Sequence, residues 1–184
     1  MEYLDIVDEK GNPIGRIIER KEAHEKGIRH RTSQIWILRK IDQHIEVLIQ
    51  KRSAQKDSYP LYYDISSAGH VLAGTSYEEC AIRELYEELG IVVQENQLHF
   101  IGMISSDTKN IFHHKLFHNV QVSRVYVLWY DGDFILQKEE ISEVKWVEFY
   151  KCMDDIENNK FLNCIKMSQL KMIEKYLEEG KCND

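Results

Sequence analysis

The chain has 184 residues, 43% of them hydrophobic and 10% aromatic, which is ordinary for a globular protein with a sizeable core. Its net charge of −7 argues against a nucleic-acid partner, because binding a phosphate backbone needs a basic surface. We see neither a charged-then-apolar leader nor an apolar run long enough to span a bilayer, so we expect a cytoplasmic protein without membrane contact.

Domain organisation follows from the same composition. With only two prolines and nine glycines, the sequence shows no linker rich in these residues. We therefore expect one domain over residues 1–184. The four cysteines show no CxxC pairing, and we interpret Cys80, Cys152, Cys164 and Cys182 as free thiols. The sequence does not predict the oligomeric state, so a homodimer is one possibility.

Hydrophobic periodicity predicts mostly strands. Residues 1–30 are expected to hold two short strands and a connection. In chain order, the predicted strands cover residues 3–8, 16–19, 34–39, 45–51, 98–104, 122–130 and 144–149. A last helix is predicted over residues 161–179, where Leu162, Ile165 and Leu170 contribute to its apolar face.

Residues 69–91 predict a glycine loop, a short helix and a second loop. At about 100° per residue, Glu84, Glu87 and Glu88 share one acidic face of that helix. Leu85 and Leu89 lie on a different face that packs on a core, so we expect the carboxylates to point outward together. Like charges at this spacing repel each other, and a bound divalent cation would reverse the sign of that interaction.

The ends of this helix carry recognisable capping residues. Thr75 with Glu78, and Ser76 with Glu79, both match the capping-box spacing at the start. Gly90 suits the left-handed position just past the end. The sequence therefore fixes the helix to within one residue at its start.

A solvated helix face is the alternative explanation for an acidic cluster. Glu174, Glu178 and Glu179 provide a control within the chain, since they also precede a glycine but no glycine loop leads into their helix. The first cluster differs further because Arg83 stands one turn from Glu87, close enough to orient it by a forked hydrogen bond. We interpret the second cluster as plain surface.

Several residues of the segment 69–91 stand at fixed offsets that form one pattern: Gly69, Arg83, Glu84, Leu85, Glu87, Glu88, Gly90 and Ile91. This pattern resembles the signature of the Nudix hydrolase family. It departs from the signature at one position, where Thr75 replaces a glutamate. The departure puts the rate or the number of metal ions in doubt more than the activity, and Glu78 or Glu79 is a candidate to compensate in part.

The resemblance implies an α/β fold in which a mixed β-sheet is sandwiched between α-helices. It also implies a bound Mg²⁺ or Mn²⁺ ion, with a metal site formed by Glu84, Glu87, Glu88 and Gly69. Of these residues, Glu84 and Glu87 would also be catalytic, and Arg83 would orient the acids. The partner implied is a small-molecule diphosphate substrate.

The front of the chain resembles one branch of this superfamily, the branch that contains isopentenyl-diphosphate isomerase. In that isomerase, histidines that match His24, His30 and His70 help to bind a metal, and basic residues that match Arg52 and Lys56 hold the diphosphate. We therefore assign Arg52, Lys56 and His70 to substrate binding. The residues alone favour structural histidines, since His24 and His30 lie six positions apart, which is not a helical ligand spacing.

Two parts of the isomerase are missing from this sequence. Ala68 stands where the isomerase has a proton-carrying cysteine, and a methyl group cannot carry a proton. The segment 118–121 offers amides near the place of metal-binding carboxylates. We therefore expect hydrolysis of a diphosphate linkage in a nucleoside-diphosphate-type molecule. The isomerase and a non-catalytic nucleotide-binding module are the alternatives.

The acid that activates the water is left open by the sequence. One of Glu84, Glu87 or a later-loop acid would serve, and Glu139 and Glu140 are the later-loop candidates. A solvated loop is the plainer interpretation of that last pair. The substrate itself is not encoded in the signature, because specificity in such folds comes from surrounding loops.

Overall fold

The computed structural model describes residues 1–180, which form nine strands and four α-helices. In chain order they are β1 (Tyr3–Val7), β2 (Pro13–Glu19), α1 (Arg20–Lys26), β3 (His30–Ile41), β4 (His44–Arg52), β5 (Tyr63–Asp64), β6 (Ser67–His70), α2 (Tyr77–Leu89), β7 (His99–Phe112), β8 (Lys115–Trp129), β9 (Ile141–Glu148), α3 (Phe149–Glu157) and α4 (Met167–Glu178). Cys182, predicted to be a free thiol, lies outside the described residues.

Strand β3 organises a seven-stranded mixed sheet. Along one edge it pairs in parallel with β8. Its other edge is divided, because Thr32–Ile35 pair with β6 and Leu38–Ile41 pair with β4. Because of this division, the short strand β6 pairs directly with β3. Gly69 and His70, which β6 carries, therefore lie beside the strand that organises the sheet.

Alternation along β3 creates a core on each face of the sheet. Ile35 and Ile37 pack towards α2, whereas Trp36 and Leu38 pack towards α3 and α4, and all four are fully buried. The sheet is therefore covered by helices on both sides. This arrangement confirms the predicted α/β/α sandwich.

The N-terminal strands β1 and β2 form a separate hairpin that docks on the signature loop. Leu4 bridges to Leu72, and the amide of Ala73 donates to the carbonyl of Tyr3. Among residues 1–180, no helix combines the length and the apolar character that crossing a membrane requires.

The predicted boundaries fail where tertiary contacts override local pattern. The last helix begins at Met167 and not at residue 161. The reason is that the main chain of Leu162 and Cys164 hydrogen-bonds to Tyr63 of β5, which holds this segment extended. Helices α1 and α3 were not predicted at all, and β7 and β8 extend well beyond the predicted residues 98–104 and 122–130.

Candidate active site

Helix α2 is fixed at both ends by its own sequence. The Ser76 hydroxyl accepts from the Glu79 amide at 3.0 Å, and the Glu79 carboxylate accepts from the Ser76 amide at 2.7 Å. Gly90 takes the left-handed conformation, with φ of 70°, that ends the helix. The capping box is therefore the Ser76–Glu79 pair, and the alternative with Thr75 and Glu78 is wrong.

The acidic face of α2 is turned towards strand β6 and not towards solvent. Glu88 is only 3% exposed and accepts a hydrogen bond from the Ser67 hydroxyl at 2.7 Å. The Glu84 side chain is 12% exposed and lies against Gly69, where any added Cβ would overlap its carboxylate. The expectation of three outward carboxylates is thus wrong for Glu84 and Glu88. Glu87 alone is exposed.

Burial of two acids is feasible because β6 presents small residues to this helix face. Ser67 offers a hydroxyl and Gly69 offers no side chain at all, so the carboxylates fit against the strand. A glycine is required at position 69 for this close approach, and its φ is ordinary. The signature glycine and the signature glutamate therefore depend on each other sterically.

Arg83 bridges the acids and the strand. Its Nη2 atom lies 2.8 Å from Glu84 Oε1 and donates to the His70 carbonyl at 3.0 Å. Its Nη1 atom lies 3.2 Å from Glu87 Oε2. Arg83 thus contacts Glu87 through one hydrogen bond and not through the predicted forked pair, and the same guanidinium also holds Glu84.

The local electrostatics leave negative charge that the protein does not neutralise. Burial, reinforced by the neighbouring Glu88, raises the pKa of Glu84 to about 7. Burial also raises the pKa of Glu88. Two adjacent buried carboxyls whose charged forms are poorly stabilised in the free protein are a donor set that suits a hard divalent cation. The residues present therefore fit the metal ion that the family pattern implies.

Thr75 and its neighbours lie away from this acidic pocket. The Thr75 hydroxyl donates to the Leu72 carbonyl. Glu78 accepts from Arg124 and Tyr126, and Glu79 is used in the cap. In this structure Glu78 and Glu79 are therefore engaged in other contacts, and compensation for the missing signature glutamate stays a prediction.

Arg52 and Lys56, the predicted diphosphate cations, are held by acids of neighbouring segments. Arg52 Nη1 lies 2.9 Å from Asp64 Oδ2, and Lys56 forms an ion pair with Glu140. Glu140 thus joins the rim of the site, as one later-loop candidate requires. Glu139 is exposed, and its main-chain carbonyl accepts from the Ser53 hydroxyl.

Three histidines meet beside the acidic pocket, although their sequence spacing gave no sign of it. His24, His30 and His70 come from α1, β3 and β6, and their candidate ligand atoms all lie within 4.8 Å of one another. Burial lowers the pKa of all three, that of His24 to about 3, so they are neutral and able to act as ligands. His30 Nε2 is buried without a hydrogen-bond partner. The three side chains that the isomerase resemblance grouped therefore lie close together, and whether they bind a metal stays open.

Two connected cavities contain these groups. A small pocket of about 190 Å³ is lined by Glu84, Glu87 and Glu88. A larger cavity of about 860 Å³ opens beside it on the other side of β6. Lys56 and Gly69 line both, and so does His70. The larger volume is within the range of small-molecule sites, so a ligand can place its diphosphate near the acids and the rest in the large cavity.

The chain belongs to the Nudix family, because residues 29–162 match the family model described as "NUDIX domain". It is an enzyme of the Nudix pyrophosphohydrolase type, and members of this family generally use divalent metal ions. These findings confirm the predicted family.

Named relatives place the chain within the family. An uncharacterized Nudix hydrolase of Clostridium acetobutylicum is 40% identical over 150 residues, which cover 78% of this chain and 72% of that protein. Isopentenyl-diphosphate Delta-isomerase 2 of Photorhabdus laumondii is 30% identical over 160 residues, covering 85% and 83%. The isomerase-like branch is therefore supported.

The fold is also shared with solved structures. A Deinococcus radiodurans protein has a TM-score of 0.67 and 21% identity, and the match covers 95% of this chain and 99% of that one. At this identity the similarity concerns the fold alone.

Proposed function

We propose that this protein hydrolyses a diphosphate linkage in a nucleoside-diphosphate-type small molecule, with Mg²⁺ or Mn²⁺ held by Glu84, Glu87 and Glu88 beside Gly69. The observation that carries the proposal is the pair of buried, adjacent carboxyls, Glu84 and Glu88, for which the protein provides too little positive charge. Arg52 and Lys56 supply cations that line the adjoining large cavity, and Lys56 also lines the acidic pocket. The proposal treats residues 1–184 as one Nudix domain.

The chemistry assigned to the site is attack of water on a phosphorus atom. The water oxygen forms a bond to phosphorus, the bridging oxygen leaves with its electron pair, and the water proton passes to a carboxylate. Glu84, which lines the acidic pocket, is one candidate to accept that proton. Glu87 and Glu140 are the alternative bases. A bound divalent ion would stabilise negative charge on the diphosphate oxygens.

The other side chains hold the reactants in place. Arg83 contacts both Glu84 and Glu87, so it is a positioning residue for the acids. Lys56 stands where the two cavities meet, and Arg52 and His70 line the large cavity. These three are the proposed substrate-binding residues.

An isoprenoid isomerase is the second candidate, because the histidine cluster and the isomerase relatives favour it. Two observations count against it. Ala68 offers no proton, and Asn119 and Gln121 bring amides where carboxylates would be needed. Incubation with isopentenyl diphosphate, followed by product analysis, tests this alternative directly. We expect no isomer.

The hydrolase is tested by a panel of diphosphate compounds with Mg²⁺ and Mn²⁺, with the products read by mass. We expect at least one compound to be cleaved, and Glu88→Gln to lower kcat by about 100-fold or more with an unchanged fold, since it removes charge and keeps shape. The matched control is Glu178→Gln, an exposed glutamate of α4.

Unchanged turnover in Glu88→Gln would contradict the assignment of the acidic pocket. Tight nucleotide binding with no cleavage of any compound would replace the hydrolase by a binding module.

A further inference from the structure

The basic side chains that line the large cavity differ in whether they have an acidic partner. Arg52 and Lys56 each form an ion pair, with Asp64 and Glu140 respectively. Lys166 also lines this cavity, yet it forms no ion pair within residues 1–180. Among the half-buried lysine and arginine side chains that line the cavity, Lys166 is the one without an acidic partner in residues 1–180.

Lys166 lines the large cavity from the segment that leads into α4. It directly precedes α4, and one turn later Gln169 is buried and donates its amide to Gln34 at 2.5 Å. Gln34 pairs with Ala68 of β6, next to Gly69. The lysine therefore stands on the side of β6 opposite the acidic pocket, within the space available to the part of a ligand that is not hydrolysed.

Burial lowers the pKa of Lys166, which means that its charged form is poorly solvated. Removing an ammonium group from water costs free energy unless a partner compensates. A ligand anion in this cavity would provide that partner.

The hairpin of β7 and β8 contributes polar side chains to the cavity beside the apolar Phe112, Leu116 and Phe117. Ser106, Thr108 and Asn110 line the cavity from β7, and Asn119 and Gln121 line it from β8. Asn119 Oδ1 is buried without a hydrogen-bond partner. A hydrocarbon chain placed here would leave these groups unpaired, whereas a polar ligand can satisfy them.

We propose that Lys166 binds an anionic group of the substrate that is separate from the hydrolysed diphosphate. The substrate then belongs to the polar diphosphate compounds with a further charged group. This inference rests on the proposed function, since it takes the large cavity to be the substrate cavity.

Matched ligands isolate the extra charge. We would titrate two pairs by calorimetry without added metal: NADPH against NADH, and coenzyme A against 3′-dephospho-coenzyme A. Each pair shares a diphosphate and differs by one phosphate group. We expect wild type to bind the more charged member of at least one pair about tenfold more tightly, as a charge-assisted contact allows.

Lys166→Met keeps the length of the side chain and removes its charge, so it should reduce that preference to less than about twofold. Lys166→Arg should retain the preference. Lys171→Met, at an exposed lysine of α4, is the matched control and should also retain the preference. Thermal melting of each variant verifies that the fold is intact.

Equal affinities within both pairs, or no binding of any of the four compounds, would overturn the inference. A preference that persists in Lys166→Met would do the same. So would tighter binding of geranyl diphosphate than of the four compounds. Failure of the proposed function has a different signature. In that case the charge preference holds, but wild type with Mg²⁺ or Mn²⁺ cleaves none of the compounds.

Discussion

At the scale of single residues, the site depends on how Glu84 and Glu88 are held. Both are largely removed from water on the inner side of α2, and the nearby guanidinium of Arg83 contacts only Glu84 of the two. The Ser67 hydroxyl gives Glu88 one hydrogen bond. The free protein thus keeps these groups in an environment that disfavours their charged forms, and a cation would relieve it.

This environment predicts a pH-dependent stability difference between wild type and Glu84→Gln. The pKa of Glu84 is raised from 4.5 to about 7, so the native state binds more protons than the unfolded state between these values. The free energy of unfolding of wild type should therefore fall as pH rises from about 5 to 8, by up to about 3 kcal/mol from this group. Glutamine has no such dependence.

The measurement is the melting temperature of both proteins in metal-free buffer between pH 5 and 8. The value for Glu84→Gln minus that for wild type should increase with pH. The histidines, whose pKa values are lowered, push stability the other way, but they act on both proteins and cancel in the difference. Glu178→Gln serves as the control and should give a flat difference. A flat difference for Glu84→Gln would refute the account of its environment.

At the scale of elements, α2 positions the acids through its capped start. Ser76 and Glu79 exchange two hydrogen bonds there, and Tyr77 and Cys80 of the first turn are buried in the core. Loss of the cap would free the first turn, which lies in the loop-helix unit that begins at Gly69.

Ser76→Ala should lower the free energy of unfolding by about 1 kcal/mol, because an amide of the first turn loses its acceptor. Chemical denaturation measures this loss. Ser168→Ala is the matched control, since Ser168 is an exposed hydroxyl in the first turn of α4. If both variants lose equal stability, the capping box is not what fixes the helix start.

Sequence alone predicted the elements whose determinants are local. The span of α2, its Gly90 end and the contact between Arg83 and Glu87 all follow from residues within two turns of one another. The inward direction of Glu84 and Glu88 could not be predicted, because it depends on the small residues that β6 places opposite the helix.

Residue spacing gave no sign of the histidine cluster for the same reason, and only the resemblance to the isomerase branch grouped the three residues. His24, His30 and His70 lie on three elements, and only the pairing of β3 with β6 and the docking of α1 bring them together. No spacing within one element records such a contact.

At the scale of the whole molecule, β6 separates two compartments of different character. The acidic pocket lies on the α2 side, and the larger polar cavity with the histidines and Lys166 lies on the other side. The divided edge of β3 makes this possible, because it admits a four-residue strand between two cavities. A diphosphate compound can therefore place its diphosphate near the acidic pocket and the rest of the molecule in the larger cavity.

The proposed function requires the acids of α2 to hold the divalent ion, whereas the three histidines form a second candidate metal site. Titration of Mn²⁺, followed by electron paramagnetic resonance, tests it with wild type, Glu84→Gln, Glu88→Gln and His24→Asn. We expect wild type and His24→Asn to bind Mn²⁺ alike, and each glutamine variant to bind at least about tenfold more weakly. Wild-type affinity in both glutamine variants, or loss of binding only in His24→Asn, would contradict the account.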